Sequence, residues 1–232
     1  MSGGEAARVR AALHVGVDGG APTLETISQA CVELLPITGA SVVLNAQHRS
    51  QSVASAFDGR AGAVQDLEFT LGEGPVVDAC ADGSPVLVDD VRAAAARWPQ
   101  FAPAMEKLGV RALYAFPLQR GTVKLGALLF YRDQAGALSS DELGTAGLVA
   151  TLVTELVLEL QAQAASESLA WGLDLSDYRA VVHQATGMVS VQLNCGGEEA
   201  LVRIRGFAFG ADRPLDDVVN EVVAGRLRFD AL

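Results

Sequence analysis

Residues 164–172 (AASESLAWG) break the apolar periodicity that runs through this chain, and the break divides its 232 residues in two. Upstream, β-branched runs alternate with helical patterns; downstream, only helical spacing remains. Half of the residues are hydrophobic and 19% are charged, enough apolar surface for two compact domains and the wrong balance for disorder.

Residues 1–22 are rich in Gly, Ala and Arg and read as a mobile lead-in. From 23 to 35, Leu24, Ile27, Ala30, Cys31, Leu34 and Leu35 fall at helical spacing, with Pro36 as a stop. Residues 41–47 and 50–57 are β-branched runs separated by a short polar turn, an antiparallel pair. Leu71-Gly72-Glu73-Gly74-Pro75 is a turn that opens a short helix over 76–81, and 85–88 is a short strand. Residues 92–107, with Trp98, Pro99, Phe101 and Pro103, suit a loop and helix wrapped over one sheet face. The runs 112–118 and 123–131 are strong strands joined by Gln119-Arg120-Gly121-Thr122, a hairpin signal.

Ser139 or Ser140 caps a long helix reaching residue 163, with Asp141 and Glu142 complementing its dipole. Along it, Val149, Val153, Leu156 and Leu160 repeat at four-three-four spacing, widened by Leu148 and Leu152. One edge covers the domain; the other pairs with a second copy, or the whole helix packs only on its own sheet. Beyond the break, Ser176 caps a helix with Tyr178, Val181, Val182, Ala185, Met188, Val189 and Gln192 at helical spacing. A second helix over 198–209 turns Ala200, Leu201, Ile204 and Ala208 inward, and a third over 215–227 carries Val218, Val219, Val222 and Val223. Three short helices make a minimal bundle.

Twenty-eight acidic residues against 17 basic give a formal net charge of −11, which argues against gripping nucleic acid by bulk charge. Cys31, Cys80 and Cys195 are widely spaced and form no C-x-x-C, so neither a disulfide framework nor a metal site is indicated. His14 and His48 lie in the lead-in and a polar turn, so no haem site is expected. The start lacks an apolar signal region. The most hydrophobic stretch, 148–160, is short and interrupted by Thr151, Thr154, Glu155 and Glu159. The expectation is a soluble, cytoplasmic chain with no membrane span. There is no Ser-His-Asp set and no P-loop, and no enzymatic role is expected.

The element order, the Leu71-Gly72-Glu73-Gly74-Pro75 turn, and Ala115-Phe116-Pro117-Leu118 followed by Gly126-Ala127-Leu128 together resemble the GAF domain. That family is a six-stranded antiparallel sheet with helices on its faces. The resemblance implies a sensor domain over 23–163 that takes a small-molecule ligand between sheet and wrap. Phe57, Phe69, Trp98, Phe101, Tyr114 and Phe116 are candidate lining, and the same aromatics read equally as core. Cyclic-nucleotide-binding members carry an Asn-Lys-Phe-Asp-Glu signature, of which only Asp141-Glu142 is matched. Some small GAF proteins reduce free methionine sulfoxide through a cysteine just after the glycine-rich turn. Here Val76 and Val77 stand there, Cys80 follows one helical turn later, and Cys31 sits on another helix.

Residues 179–188 (RAVVHQATGM), Glu199-Ala200-Leu201 with Arg203-Ile204-Arg205, and Arg213-Pro214-Leu215 through Val222-Val223 resemble the ANTAR domain. That family is a three-helix RNA-binding module of bacterial transcription antitermination regulators. With 164–175 as linker and 176–232 as this module, the resemblance completes an α+β chain ending in a small helical bundle. It implies a signal-responsive regulator that binds dual stem-loops in nascent transcripts and promotes antitermination. The expected form is a homodimer through the helix over 140–163. The alternative is a protein-interaction or ligand-sensing module whose RNA binding has decayed.

Gly187 lies within a helix, where glycine costs about 1 kcal/mol relative to alanine. Either a neighbouring helix or a nucleic-acid backbone approaches closely there. The resemblance places the RNA surface at Ala185, Thr186 and Gly187. His183, Gln184 and Arg203 offer donors and stacking chemistry for looped RNA, and Arg205 and Arg213 complete the expected contacts. His183 reads equally as a surface histidine, and the arginines as a solvated face. Many family members carry lysine at Thr186, a small alanine at Val219 and basic residues at Asn220 and Gly225. From 166 to 232 six Arg face ten acids, a net of −4, so binding must use a local arginine patch and shape.

Overall fold

The computed structural model describes residues 7, 9–12, 24–46, 50–167, 177–211 and 213–231. The chain divides into two compact units, the main body of the second beginning at Leu173. His14, His48 and the greater part of both the lead-in and the linker lie outside the described residues.

In the first unit, α1 (Leu24–Leu34) leads into β1 (Gly39–Ala46) and β2 (Ser50–Ala56). Then follow α2 (Gly59–Leu71), α3 (Pro75–Asp82), β3 (Val86–Val88) and α4 (Phe101–Lys107). The hairpin of β4 (Ala112–Arg120) and β5 (Val123–Arg132) precedes α5 (Ser140–Glu167). The strands make one sheet in the order β2-β1-β5-β4-β3, five among the described residues where the resemblance implied six. Strand β5 runs antiparallel to both β1 and β4, and the register slips between Leu118 and Gln119. The turn is tighter than its four-residue signal, with Gly121 at φ 60°. At Gly126 a side chain is excluded outright, because a Cβ would stand 1.9 Å from the Val43 carbonyl oxygen across the β1–β5 pair.

The central strands are apolar in continuous runs because both faces of the sheet are covered. On one face, Val42, Leu44, Tyr114, Phe116, Leu118, Leu128 and Phe130 meet α1 and α5. On the other, Val43, Leu113, Ala115, Ala127, Leu129 and Tyr131 meet α2, α3 and α4. Each large side chain buried this way contributes about 1.5–3 kcal/mol. Within the stretch read as a lead-in, residues 9–12 are helical and Val9 is fully buried in the α1–α5 cluster.

Helix α2 has no counterpart in the sequence reading. Its buried stripe is Ala61, Val64, Gln65, Glu68 and Phe69, so two polar residues conceal the apolar period. The caps are clear: Asp58 accepts from the Ala61 amide at 2.7 Å, and Gly72 ends the helix in the left-handed region at φ 69°. At the head of α5 the capping choice falls on Ser139. Its hydroxyl accepts from the Glu142 amide at 3.3 Å, while Glu142 accepts from the Ser139 amide at 2.7 Å. Over Ser140–Ala162, a longer stretch than 148–160, α5 is long and apolar enough by length and composition to cross a bilayer. Its fully buried Val149, Val153 and Val157 nevertheless pack as those of a core helix.

In the second unit, α6 (Asp177–Leu193) packs against both α7 (Gly197–Gly210) and α8 (Leu215–Val223). Val182, Ala185, Val189, Ala200, Ile204, Ala208, Val218, Val219 and Val222 are buried. Helix α8 stops four residues short of its predicted end, with Ala224 as its cap and Gly225 at φ 71° behind it.

Candidate functional site

The six aromatics expected to line one sensor pocket do not come together. Trp98 and Phe101 are buried on the α2–α4 face, edge to face at 5.9 Å between ring centroids. Tyr114 and Phe116 are buried on the opposite face under α1 and α5. Phe69 is buried and Phe57 is exposed. The correction is one of strand parity: even positions of β4 point away from the wrap, and Leu113 and Ala115 face it instead. The space between sheet and wrap is occupied by Trp98, Phe101, Met105, Leu113 and Tyr131, all nearly or fully buried.

The glycine-rich turn holds this packing in place. Fully buried Glu68 accepts from the Val76 amide at 2.7 Å, at the start of α3. Gly74, at φ 143°, leaves the room that Glu68 needs. Glu73 accepts from the amides of Gln100 and Phe101 at 2.7 and 2.8 Å, fixing the start of α4. The Trp98 indole donates to Asp78 at 3.1 Å, and Arg97 pairs with the same carboxylate at 2.7 Å. On the other side of the sheet, burial pushes the Tyr114 hydroxyl above its ordinary range while it donates to the Gly136 carbonyl.

A half-open cavity of about 440 Å³ lies on the α5 face, between the outer part of β4 and the middle of α5. Phe116 is the one member of the expected set that lines it. The two thiols weighed for redox chemistry are parted by the sheet. Cys31 belongs to the α1–α5 core, its thiol pushed up to about 12 by burial, whereas Cys80 packs on the opposite face. Among the described residues, no group of three or more His, Cys, Asp and Glu is placed to hold a metal ion.

The residues expected to meet RNA divide between the core and the outer surface of the three-helix unit. Ala185 is fully buried and supports the bundle from inside. Gln184 and Gly187 are exposed; His183 and Thr186 are half-buried, and the Thr186 hydroxyl donates to the Val182 carbonyl at 2.7 Å. A Cβ built on Gly187 meets nothing within 4 Å, so no neighbouring helix accounts for this glycine. On α7, Arg203 is exposed but pairs with Glu199 at 3.1 Å, and Arg205 is half-buried. Arg213 pairs with Glu221 at 3.1 Å, which holds that carboxyl below its ordinary range.

Three exposed apolar side chains of this unit escaped the sequence reading, Val191 on α6 and two on α7. Val202 and Phe209, 63% and 72% exposed, flank the equally open Gly206 on the outer face of α7, beside Arg203. The signal was available as i, i+4, i+7 spacing outside the inward stripe of Ala200, Ile204 and Ala208.

A family model described as the GAF domain matches residues 22–157. Among solved structures, a domain of a two-component sensor histidine kinase protein from Sinorhizobium meliloti 1021 is 20% identical. The match covers 61% of this chain and 92% of that one, with a TM-score of 0.51. The GAF domain of a phosphoenolpyruvate-protein phosphotransferase from Acinetobacter is 12% identical, covering 70% and 97%, also at 0.51. Its counterpart from Coxiella burnetii is 14% identical, covering 70% and 95%, again at 0.51. No curated protein matches the chain. The family match ends at residue 157, so the three C-terminal helices rest on their residue pattern and geometry alone.

Proposed function

The chain belongs to the GAF domain family, whose members sense signals or bind proteins, and from that premise we propose a signal-responsive, RNA-binding antitermination regulator. The first unit is the sensor and the three-helix unit is the output. One observation carries the reading: Gly187 stands exposed on α6 with open space where a side chain would be. A glycine inside a helix, unexplained by packing, suits close approach of a nucleic-acid backbone. Gln184 on the same helix, and Arg203, Gly206 and Phe209 on α7, supply donors, a cation, a second notch and a stacking surface.

The output unit is net acidic, so affinity comes from few phosphate contacts and from pairing two sites. A homodimer through α5 would bind both hairpins of one transcript, the second at a high effective concentration. Leu148, Leu152 and Leu156 keep part of their surface open for that pairing. Neither a catalytic step nor a bound metal enters this reading.

Anisotropy titration of the full chain with a dual-hairpin RNA at low salt tests it. Saturable binding is expected, with a log–log salt slope of only about −2, for two to three neutralised phosphates. Absence of binding at 50 mM salt overturns it. The ion pairs Arg203–Glu199 and Arg213–Glu221 favour the second reading, a protein-interaction unit that has lost RNA binding. Thr186→Lys separates the two: it strengthens RNA binding if the face is in use and does nothing to a decayed one.

A further inference from the structure

The cavity under α5 is distinct from the space between sheet and wrap, where Trp98, Phe101 and Met105 pack on the other face of the sheet. Its volume, about 440 Å³, falls within the roughly 300–1,000 Å³ of small-molecule sites. The apolar part of its lining is Phe116, Pro117 and Pro85 on the sheet side and Leu158 on α5. Most polar side chains around it already have partners within the chain. Thr151 and Thr154 donate to the carbonyls of Gly147 and Ala150, at 2.9 and 2.7 Å. Gln119 donates to the Gly83 carbonyl at 2.8 Å, and Glu155 stands 3.9 Å from Arg10.

Arg120 differs. Among the described arginines of this unit, Arg10, Arg92, Arg97, Arg111 and Arg132 each face a carboxylate, and Arg60 lies over the Tyr131 ring. Arg120 alone among them has no such partner, and it lines the cavity. In a chain of net charge −11, an unengaged guanidinium beside apolar lining selects an anion with an apolar body. On the α5 side the lining includes Gly147, mid-helix, where a Cβ would meet nothing within 4 Å. Glycine weakens a helix there without any packing return inside the chain.

We propose that this cavity binds a small organic anion, with a carboxylate, sulfonate or phosphate on Arg120 and an apolar or aromatic body on Phe116 and Pro117. The site is independent of whether the helical unit binds RNA.

The test is a fluorescence titration of the full chain with anilinonaphthalene sulfonate, an aromatic body bearing one anion. Saturable one-site binding is expected. Arg120→Gln should weaken it about tenfold, as loss of a charged hydrogen bond does. Arg92→Gln, which touches an ion pair elsewhere, should leave it unchanged. Gly147→Leu fills the cavity from the helix side and should abolish binding while the thermal midpoint holds or rises. Equal dye affinity in the parent and in Arg120→Gln overturns the proposal. So does a Gly147→Leu chain that loses dimerisation yet keeps the dye, because the groove would then be a seat for a second copy's helix.

Discussion

Glu73 accepts two backbone amides at the start of α4 with a single carboxylate oxygen, and Glu68 accepts one at the start of α3 while fully buried. Both satisfy amides that a helix start leaves without partners. Glu73→Ala should therefore cost about 0.5–2 kcal/mol, the usual loss on removing such a cap. Urea unfolding of the variant checks this, and the turn's role as a brace fails if stability is unchanged. Thiol chemistry gives a second residue-scale prediction. Burial keeps the Cys31 thiol protonated far above neutrality, so native protein labelled with iodoacetamide at pH 8 should be modified at Cys80 and Cys195 and spared at Cys31. Modification of Cys31 at the same rate as the others would contradict its place in the α1–α5 core.

Helix ends carry the pH dependence at the scale of elements. The Ser139 amide, then its hydroxyl and Arg132, hold the Glu142 carboxyl below its ordinary 4.5. Arg213 does the same for Glu221. A carboxyl with a depressed native pKa stabilises the fold above its ordinary value, and the contribution is lost as pH falls through the lower native one. The urea midpoint should thus begin to fall below pH 4.5, and Glu142→Gln should flatten that fall. A midpoint with the same acid dependence in the variant would contradict the capping box. Legibility at this scale tracks periodicity. The hairpin of β4 and β5 and the head of α5 were readable from apolar runs and capping residues. Helix α2 was hidden because Gln65 and Glu68 sit in its buried stripe, and the pocket set failed because Tyr114 and Phe116 share one strand parity while the wrap covers the other. The outward Phe209 was passed over because inward residues define the stripe that periodicity seeks.

For the whole molecule, a domain of the GAF family is joined to a helical unit with an open glycine exposed on α6, and with a second open glycine, an exposed aromatic and an arginine on α7. The charge of the chain opposes nucleic acid at long range, so the RNA binding proposed above requires shape recognition at short range. Gly187→Leu tests this most directly. A Cβ at this position meets nothing within 4 Å, and leucine is the better helix former, so the thermal midpoint should hold or rise. Affinity for the dual-hairpin RNA should nevertheless drop about tenfold or more, some 1.4 kcal/mol. A stably folded Gly187→Leu chain that binds the RNA as tightly as the parent would contradict the assignment of that face.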